Sequence, residues 1–512
     1  MSEETKEKEE TNKESSENKA DKNKKNLENW LRDKYNLGLV GILVLASIIR
    51  LYFYFIAKDQ AHWWDSLAFG SLAKNMISHI WDNSPFIANE AIIRPPLLGL
   101  VWSFLLRINF SDAASLFFLE IIPSILSILF IYLLAKEIYN KKVALISSFI
   151  LSVLWIHLFY TTRIMSDVPS LFFTLASLYF FVKSYDDFKL KFFSLAIFFV
   201  SLAILTRYFY GFIGVVYIVM VIAKHKHKFI SNKNFWIGGI LGAIPIIIFF
   251  AYNLVVYKGL LPAASVYSAS AAEKPSFAYY VLGFIQYDLQ WIFVICLALG
   301  TILVVFELAL GYDSIFKMKK LSSHLMLLLI GVGSLIFFIF ILRAAEDRYL
   351  FLLMPSLIIF SAIGIEFVYN YSNKYNKILA IILVVIILLL GAYYHLSYGN
   401  LIIENKKTSY MQMKEAFLWI NKNTPQNAVI LGDGIDPYVI YYGERNYLAS
   451  NSSILDQNIK DSDYVVLHGF EHQTPELINY VTNNSNKFAP AYSNFFDPAN
   501  QQPAVVIYKI KK

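Results

Sequence analysis

From Leu37 to Tyr398 the chain runs through a series of apolar stretches, each about 16 to 25 residues long, close to what an α-helix needs to cross a bilayer. Only 16% of its 512 residues are charged and 57% are hydrophobic, whereas a soluble chain carries about 25% charge. A soluble fold is excluded, and the chain reads as a polytopic α-helical membrane protein. Spans are expected near 37–57, 112–135, 143–160, 168–185, 192–207, 208–223, 234–257, 283–310, 324–342, 349–370 and 378–398, about eleven transmembrane helices in all.

The net charge of +7 is therefore read loop by loop and implies no nucleic-acid partner. "KEIYNKK" (136–142), "KLK" (189–191), "KHKHK" (224–228), "KMKK" (317–320) and "NKYNK" (373–377) stand at every second junction. Lysines mark the cytoplasmic side, which puts the N-terminus in the cytoplasm and the C-terminus outside, in a plasma membrane. Residues 1–34 mix both signs of charge with almost no apolar side chains and are expected to be a disordered cytoplasmic tail. Residues 35–400 form the transmembrane domain, with a long first external loop at 58–96. Residues 401–512 change to the pattern of a small external α/β domain. In it "YMQMKEAFLWINKN" and "PELINYVTNNSNKF" read as helices, and "AVILGD", "DYVVLHGF" and "AVVIYKI" as strands. The single cysteine, Cys296, allows no disulfide.

The lysine-rich internal loops contain no arginine. Arg94, Arg107, Arg163, Arg207, Arg343 and Arg348 all fall at the opposite face. Single arginines at helix ends are ordinary snorkelling side chains. Gathered on the side that normally avoids cations, they suggest an anionic ligand, because a planar fork of donors suits a phosphate.

Along that face lie five candidate segments. "DSLAFGSLAKNMI", from Asp65, has one apolar helical stripe and is expected to lie in the membrane interface. Asp65 taken alone would be its N-cap, and His62, Trp63 and Trp64 an interfacial belt. "IIRPPLLGLVWSFLLRI" (92–108) leaves about 12 apolar residues after Pro96, too few to span. It is expected to be a re-entrant or in-plane wall of a cavity with Arg94 at its entrance. In "TTRIMSDVPSLFF", Asp167 precedes a span with Pro169 in its first turn, again a plausible cap. "LTRYFYG" carries Arg207 between two spans, and in "RAAEDRYLFLLMP" Glu346 and Asp347 would neutralise Arg343 and Arg348.

In this order, spacing and common sidedness these segments resemble the GT-C superfamily of membrane glycosyltransferases. The likest branch is the protein O-mannosyltransferase and aminoarabinose-transferase type. The resemblance implies an inverting transfer of a sugar from a polyprenyl-phosphate-linked donor to an acceptor hydroxyl at the outer face. It implies Asp65 as the general base, Arg94 as the donor-phosphate contact, Arg348 and Arg207 as further phosphate-side residues, and Asp167 as a catalytic-site acid. Many relatives have a second acid directly after the first-loop Asp, where this chain has Ser66.

No cofactor or metal is expected. "DSD" (461–463) resembles a DxD metal motif but sits at a turn before a strand, and "DGIDP" (433–437) reads as a loop. An oligosaccharyltransferase-like subunit would need Trp-Trp-Asp in the outer domain, which has only Trp419. A transporter or flippase of lipid-linked sugars would show repeats and mid-membrane polar residues.

Overall fold

The computed structural model describes residues 32–263, 276, 278–343, 346–470, 473–497, 499 and 502–512. The expected tail, apart from its last residues, lies outside them.

Every expected span is a helix or a pair of helices. They are Lys34–Ala57, Asp112–Ile138, Lys141–Val153 with Trp155–Thr161, Asp167–Ser184, Leu190–Thr206, Tyr208–His225, Lys233–Val256, Tyr279–Leu310, Lys319–Leu342, Met354–Asn373 and Lys377–Lys406. Among the described residues, eight helices are long and apolar enough to cross a membrane, or nine if the bent pair counts as one span. At the lysine-rich end, Asn140, Asn232 and Asn376 start helices by accepting first-turn N–H groups, each just before a lysine. So the same short junctions supply both the charge and the cap.

Two devices hold the bundle. Gly300 and Gly364 bring the Tyr279–Leu310 and Met354–Asn373 helices into backbone contact. A Cβ on Gly300 would stand 1.8 Å from the Phe360 carbonyl oxygen, and one on Gly364 would stand 2.1 Å from that of Cys296. The second device is Arg50, buried inside the first span and unforeseen from the sequence. The Lys141–Val153 and Trp155–Thr161 helices meet at a 55° bend, with Leu154 extended between them. That break frees carbonyls in a region without water, where each would be costly. Arg50 fills it, donating to Ser152 O (3.0 Å), to Ser124 Oγ (2.6 Å) and within reach of His157 Nδ1 (2.9 Å).

The C-terminal domain is a five-stranded sheet in the order β2-β1-β3-β5-β4. Strands β1 (Val429–Gly432), β2 (Asn446–Ala449) and β3 (Tyr464–His468) are parallel, and β5 (Gln502–Ile510) and β4 (Phe488–Asp497) run antiparallel. The three expected strands and both helices are present. β2 and the bulged β4 were not foreseen, because neither shows a clean buried pattern.

This domain packs on the first loop, which corrects two expectations. The apolar stripe of the Trp64–Ser78 helix faces protein and not lipid. Leu67, Phe69 and Ala73 share a core with Trp102, Phe417 and Tyr441, so the domain covers its apolar stripe. Nor do His62 and Trp63 form a belt. His62 is buried between Trp102, Tyr441 and Tyr442 and meets Asp112 (3.2 Å), while Trp63 lies under Arg163.

Alanine at Gly300 or Gly364 is expected to lower the thermal unfolding midpoint of the purified protein in detergent, at a cost of about 1–3 kcal/mol. Gly41→Ala, with nothing within 4 Å of its Cβ, should leave the midpoint unchanged. Equal midpoints for all three would show that the close approach is not what holds these helices.

Candidate active site

Asp65 is not a helix cap. Its helix begins at Trp64 with Trp63 in the capping position, leaving the Asp65 carboxylate free to point away. It is shared between two arginines from distant segments: Oδ1 lies 2.8 Å from Arg94 Nη2, and Oδ2 accepts from Arg348 Nη1. Arg94 ends the Pro85–Ile93 helix in extended conformation, as the following Pro95-Pro96 pair demands. Its guanidinium stacks over Phe69, and Glu90, one turn earlier, takes its Nε–H. The short helix Pro96–Arg107 then runs on from it, as expected of a wall segment. Arg348 donates its Nε–H to Glu346. Asp347 accepts from the Arg348 N–H (2.6 Å) and from Tyr160 Oη (3.0 Å). Thus Glu346 does neutralise Arg348, whereas Asp347 is held by hydrogen bonds and Arg343 stands exposed.

Burial alone would push the Asp65 carboxyl up. The two guanidiniums outweigh it and hold the group well below the usual carboxylate range. Asp347, with burial dominant, is shifted the other way.

Beside this triad lies a second pair. Asp167 is the first helical residue after Ser166, fully buried, and bonded to Arg207. Arg207 stacks on Phe209 and Tyr349. Asp65 keeps 23% of its side chain accessible and Asp167 none, so the first is open to the rim and the second is closed off. The turn leading to Asp167 is fastened from several directions. Ser66 Oγ donates to Ile164 O (2.6 Å), Glu120 accepts from Met165 N–H (2.7 Å), and Gln60 donates to Thr162 O. Arg163 is sandwiched by Trp63 and Phe159. Of the six arginines, three therefore meet in the site, Arg163 props its edge, Arg107 binds Met76 O, and Arg343 is exposed.

Glu90 and Glu120 were missed in the sequence. Glu90 had a signal, since it stands four residues before Arg94 in a helix-compatible stretch. Glu120, inside an apolar span, gave only the anomaly of an acid in a membrane segment. In the C-terminal domain the "DSD" carboxylates are taken by protein donors, Asp463 from Val429 N–H and Lys512, Asp461 from Gln457. In "DGIDP", Asp436–Tyr438 starts a short helix.

Removing one member of the buried pair leaves the other charge stranded. Arg207→Met is expected to cost about 3–5 kcal/mol of stability, and adding Asp167→Asn should restore much of it. Thermal unfolding of the single and double variants checks this, and a double variant worse than the single would refute the pairing.

Residues 93–252 match the family model described as dolichyl-phosphate-mannose-protein mannosyltransferase. Over 190 residues, 36% of the chain, 28% are identical to an uncharacterized protein of Aquifex aeolicus (strain VF5), and the match spans 38% of that relative. ArnT from Cupriavidus metallidurans superposes with a TM-score of 0.63 at 11% identity, over 92% of this chain and 98% of its own. It is also known bound to undecaprenyl phosphate. The Archaeoglobus fulgidus oligosaccharyltransferase, tethered to an acceptor peptide containing the NVT sequon, gives a TM-score of 0.63 at 14% identity, over 94% and 75%.

Proposed function

The chain is an integral membrane protein with the fold of the GT-C glycosyltransferases, and on that premise we propose that it transfers a sugar from a polyprenyl-phosphate donor to an acceptor hydroxyl, with inversion, at the outer face. The observation that carries this reading is the Asp65 carboxylate held between Arg94 and Arg348 at a partly accessible rim. The lysine-rich junctions at the opposite end support that orientation.

In this mechanism Asp65 accepts the proton of the acceptor hydroxyl. The hydroxyl oxygen forms a bond to the anomeric carbon on the face opposite the phosphate. The bond between that carbon and the phosphate oxygen breaks, its electron pair stays on the phosphate, and a monoanionic diester becomes a dianionic monoester. Arg94 and Arg348 are positioned to receive this added charge, and fixed cations aimed at developing charge lower the barrier. Arg207 and Asp167 hold the wall behind them. The donor's isoprenoid chain has a matching surface, an apolar groove of about 430 Å³ between Trp291, Leu335, Leu353 and Phe360. Its edge at Leu353 is five residues beyond Arg348.

Phosphate binding also activates the base. Without donor, the two arginines keep Asp65 a weak base. A phosphate that draws them off lets its carboxyl rise toward the value a base needs. The acid limb of kcat, which reports the complex, should therefore lie at higher pH than that of kcat/KM, which reports the free enzyme. Coincident limbs, or the reverse order, would contradict this.

The activity test incubates the purified protein with a polyprenyl-phosphate sugar and acceptors bearing free hydroxyls, and measures release of the carrier phosphate. Release is expected, falling at least ~100-fold in Asp65→Asn with expression unchanged. No release from any donor, with lipid-linked sugar instead crossing vesicles, would identify a transporter. Ala298→Trp, which fills the groove, should raise KM for long-chain donors and spare short-chain ones.

A further inference from the structure

At the end of the bundle opposite Asp65, three helices and the turn at Tyr139–Asn140 line a polar cavity of about 320 Å³. It lies roughly 18 Å along the Met354–Asn373 helix from that helix's start near Arg348, counting 1.5 Å per residue to Glu366. Its walls are Tyr139, Asn140, Glu307, Lys320, His324 and Glu366, from elements that contribute nothing here to the charged site above.

Two of these groups, His324 and Tyr139, have buried polar atoms that make no hydrogen bond. His324 is 1% exposed and neither ring nitrogen makes a hydrogen bond, the nearest acid atom being Glu307 Oε2 at 3.5 Å from Nδ1. The Tyr139 hydroxyl is also without a partner, with its ring stacked on His324. Buried polar atoms are nearly always satisfied, so orphans that share one cavity point to an occupant that satisfies them. The charges indicate its nature. Lys320 is matched by Glu307 at 2.7 Å. Glu366 is met by the neutral Asn140 side chain (3.0 Å) and pairs with no cation among the described residues. The site thus offers donors on one side, from Lys320, Tyr139 and His324, and a spare carboxylate on the other. Beside the mouth, Phe306 and Leu310 present large apolar side chains outward, and Phe367 lines it.

We propose that this cavity binds the headgroup of an aminophospholipid from the leaflet at the lysine-rich face. The phosphate lies against Lys320, His324 and Tyr139, the primary ammonium donates to Glu366, and the acyl chains run down the exposed apolar surface. A choline headgroup has no N–H to give Glu366, and a glycerol headgroup brings no cation, so both bind more weakly. Nothing in this site depends on the glycosyl-transfer reading.

The test is native mass spectrometry of the full-length protein in detergent, offered equal amounts of dihexanoyl phosphatidylethanolamine, phosphatidylcholine and phosphatidylglycerol. Retention of the ethanolamine lipid at least five-fold over the others is expected, with the preference lost in Glu366→Gln. Equal retention of the three lipids, or an undiminished preference in Glu366→Gln, overturns the proposal, the former also marking a cavity filled by water alone. If Glu366→Gln does not fold, the wild-type comparison decides by itself. Displacement of the lipid by equimolar free phosphoethanolamine would overturn the lipid assignment in favour of a soluble ligand.

Discussion

One carboxylate shared by two guanidiniums joins three parts of the chain that are far apart in sequence. Asp65 comes from the first loop, Arg94 from the turn before the short wall helix, and Arg348 from the entry to a late span. At a low-dielectric rim an unpaired charge is expensive, so each arginine also holds a second acid, Glu90 or Glu346. In the proposed reaction the donor phosphate does not meet bare cations but exchanges places with a carboxylate, and that exchange is what would change the chemistry open to Asp65.

The surrounding structure keeps that arrangement at a fixed height. Arg50 stabilises the break at Leu154, which redirects the span so that Trp155–Thr161 carries Tyr160 toward Asp347. Ser66 and Glu120 fasten the turn before Asp167. The C-terminal domain closes over the first-loop helix. Tyr441 reaches Asp112 (2.6 Å), and Lys74 reaches both Tyr441 O (2.7 Å) and Glu444 (2.6 Å). Gly70 is part of this seam, since a Cβ there would stand 2.5 Å from the Tyr441 ring.

The spans were legible because a bilayer imposes length and apolarity on every crossing, and Pro95-Pro96 marked the turn that frees Arg94. Asp65, Arg94, Arg348, Asp167 and Arg207 could be named in advance, and the fold brings them together as a triad and a pair. Local rules misled where tertiary contacts override them. Asp65 matches a helix cap, yet two distant arginines take its carboxylate. An apolar stripe on Trp64–Ser78 looks the same whether lipid or another domain covers it. Arg50 and Glu120 were illegible for a different reason. Their partners are backbone groups exposed by a helix break and a turn, which no periodicity announces.

Exchange at Asp65 has a consequence that ordinary loss of function does not share. If the donor phosphate takes the arginines from this carboxylate, removing the carboxylate makes binding easier even as it stops chemistry. The direct measurement is the affinity of a polyprenyl phosphate for the wild-type protein and for Asp65→Asn, by titration in detergent at neutral pH. Tighter binding by the variant is expected, and weaker or unchanged binding would contradict a site in which Asp65 and the phosphate compete for Arg94 and Arg348.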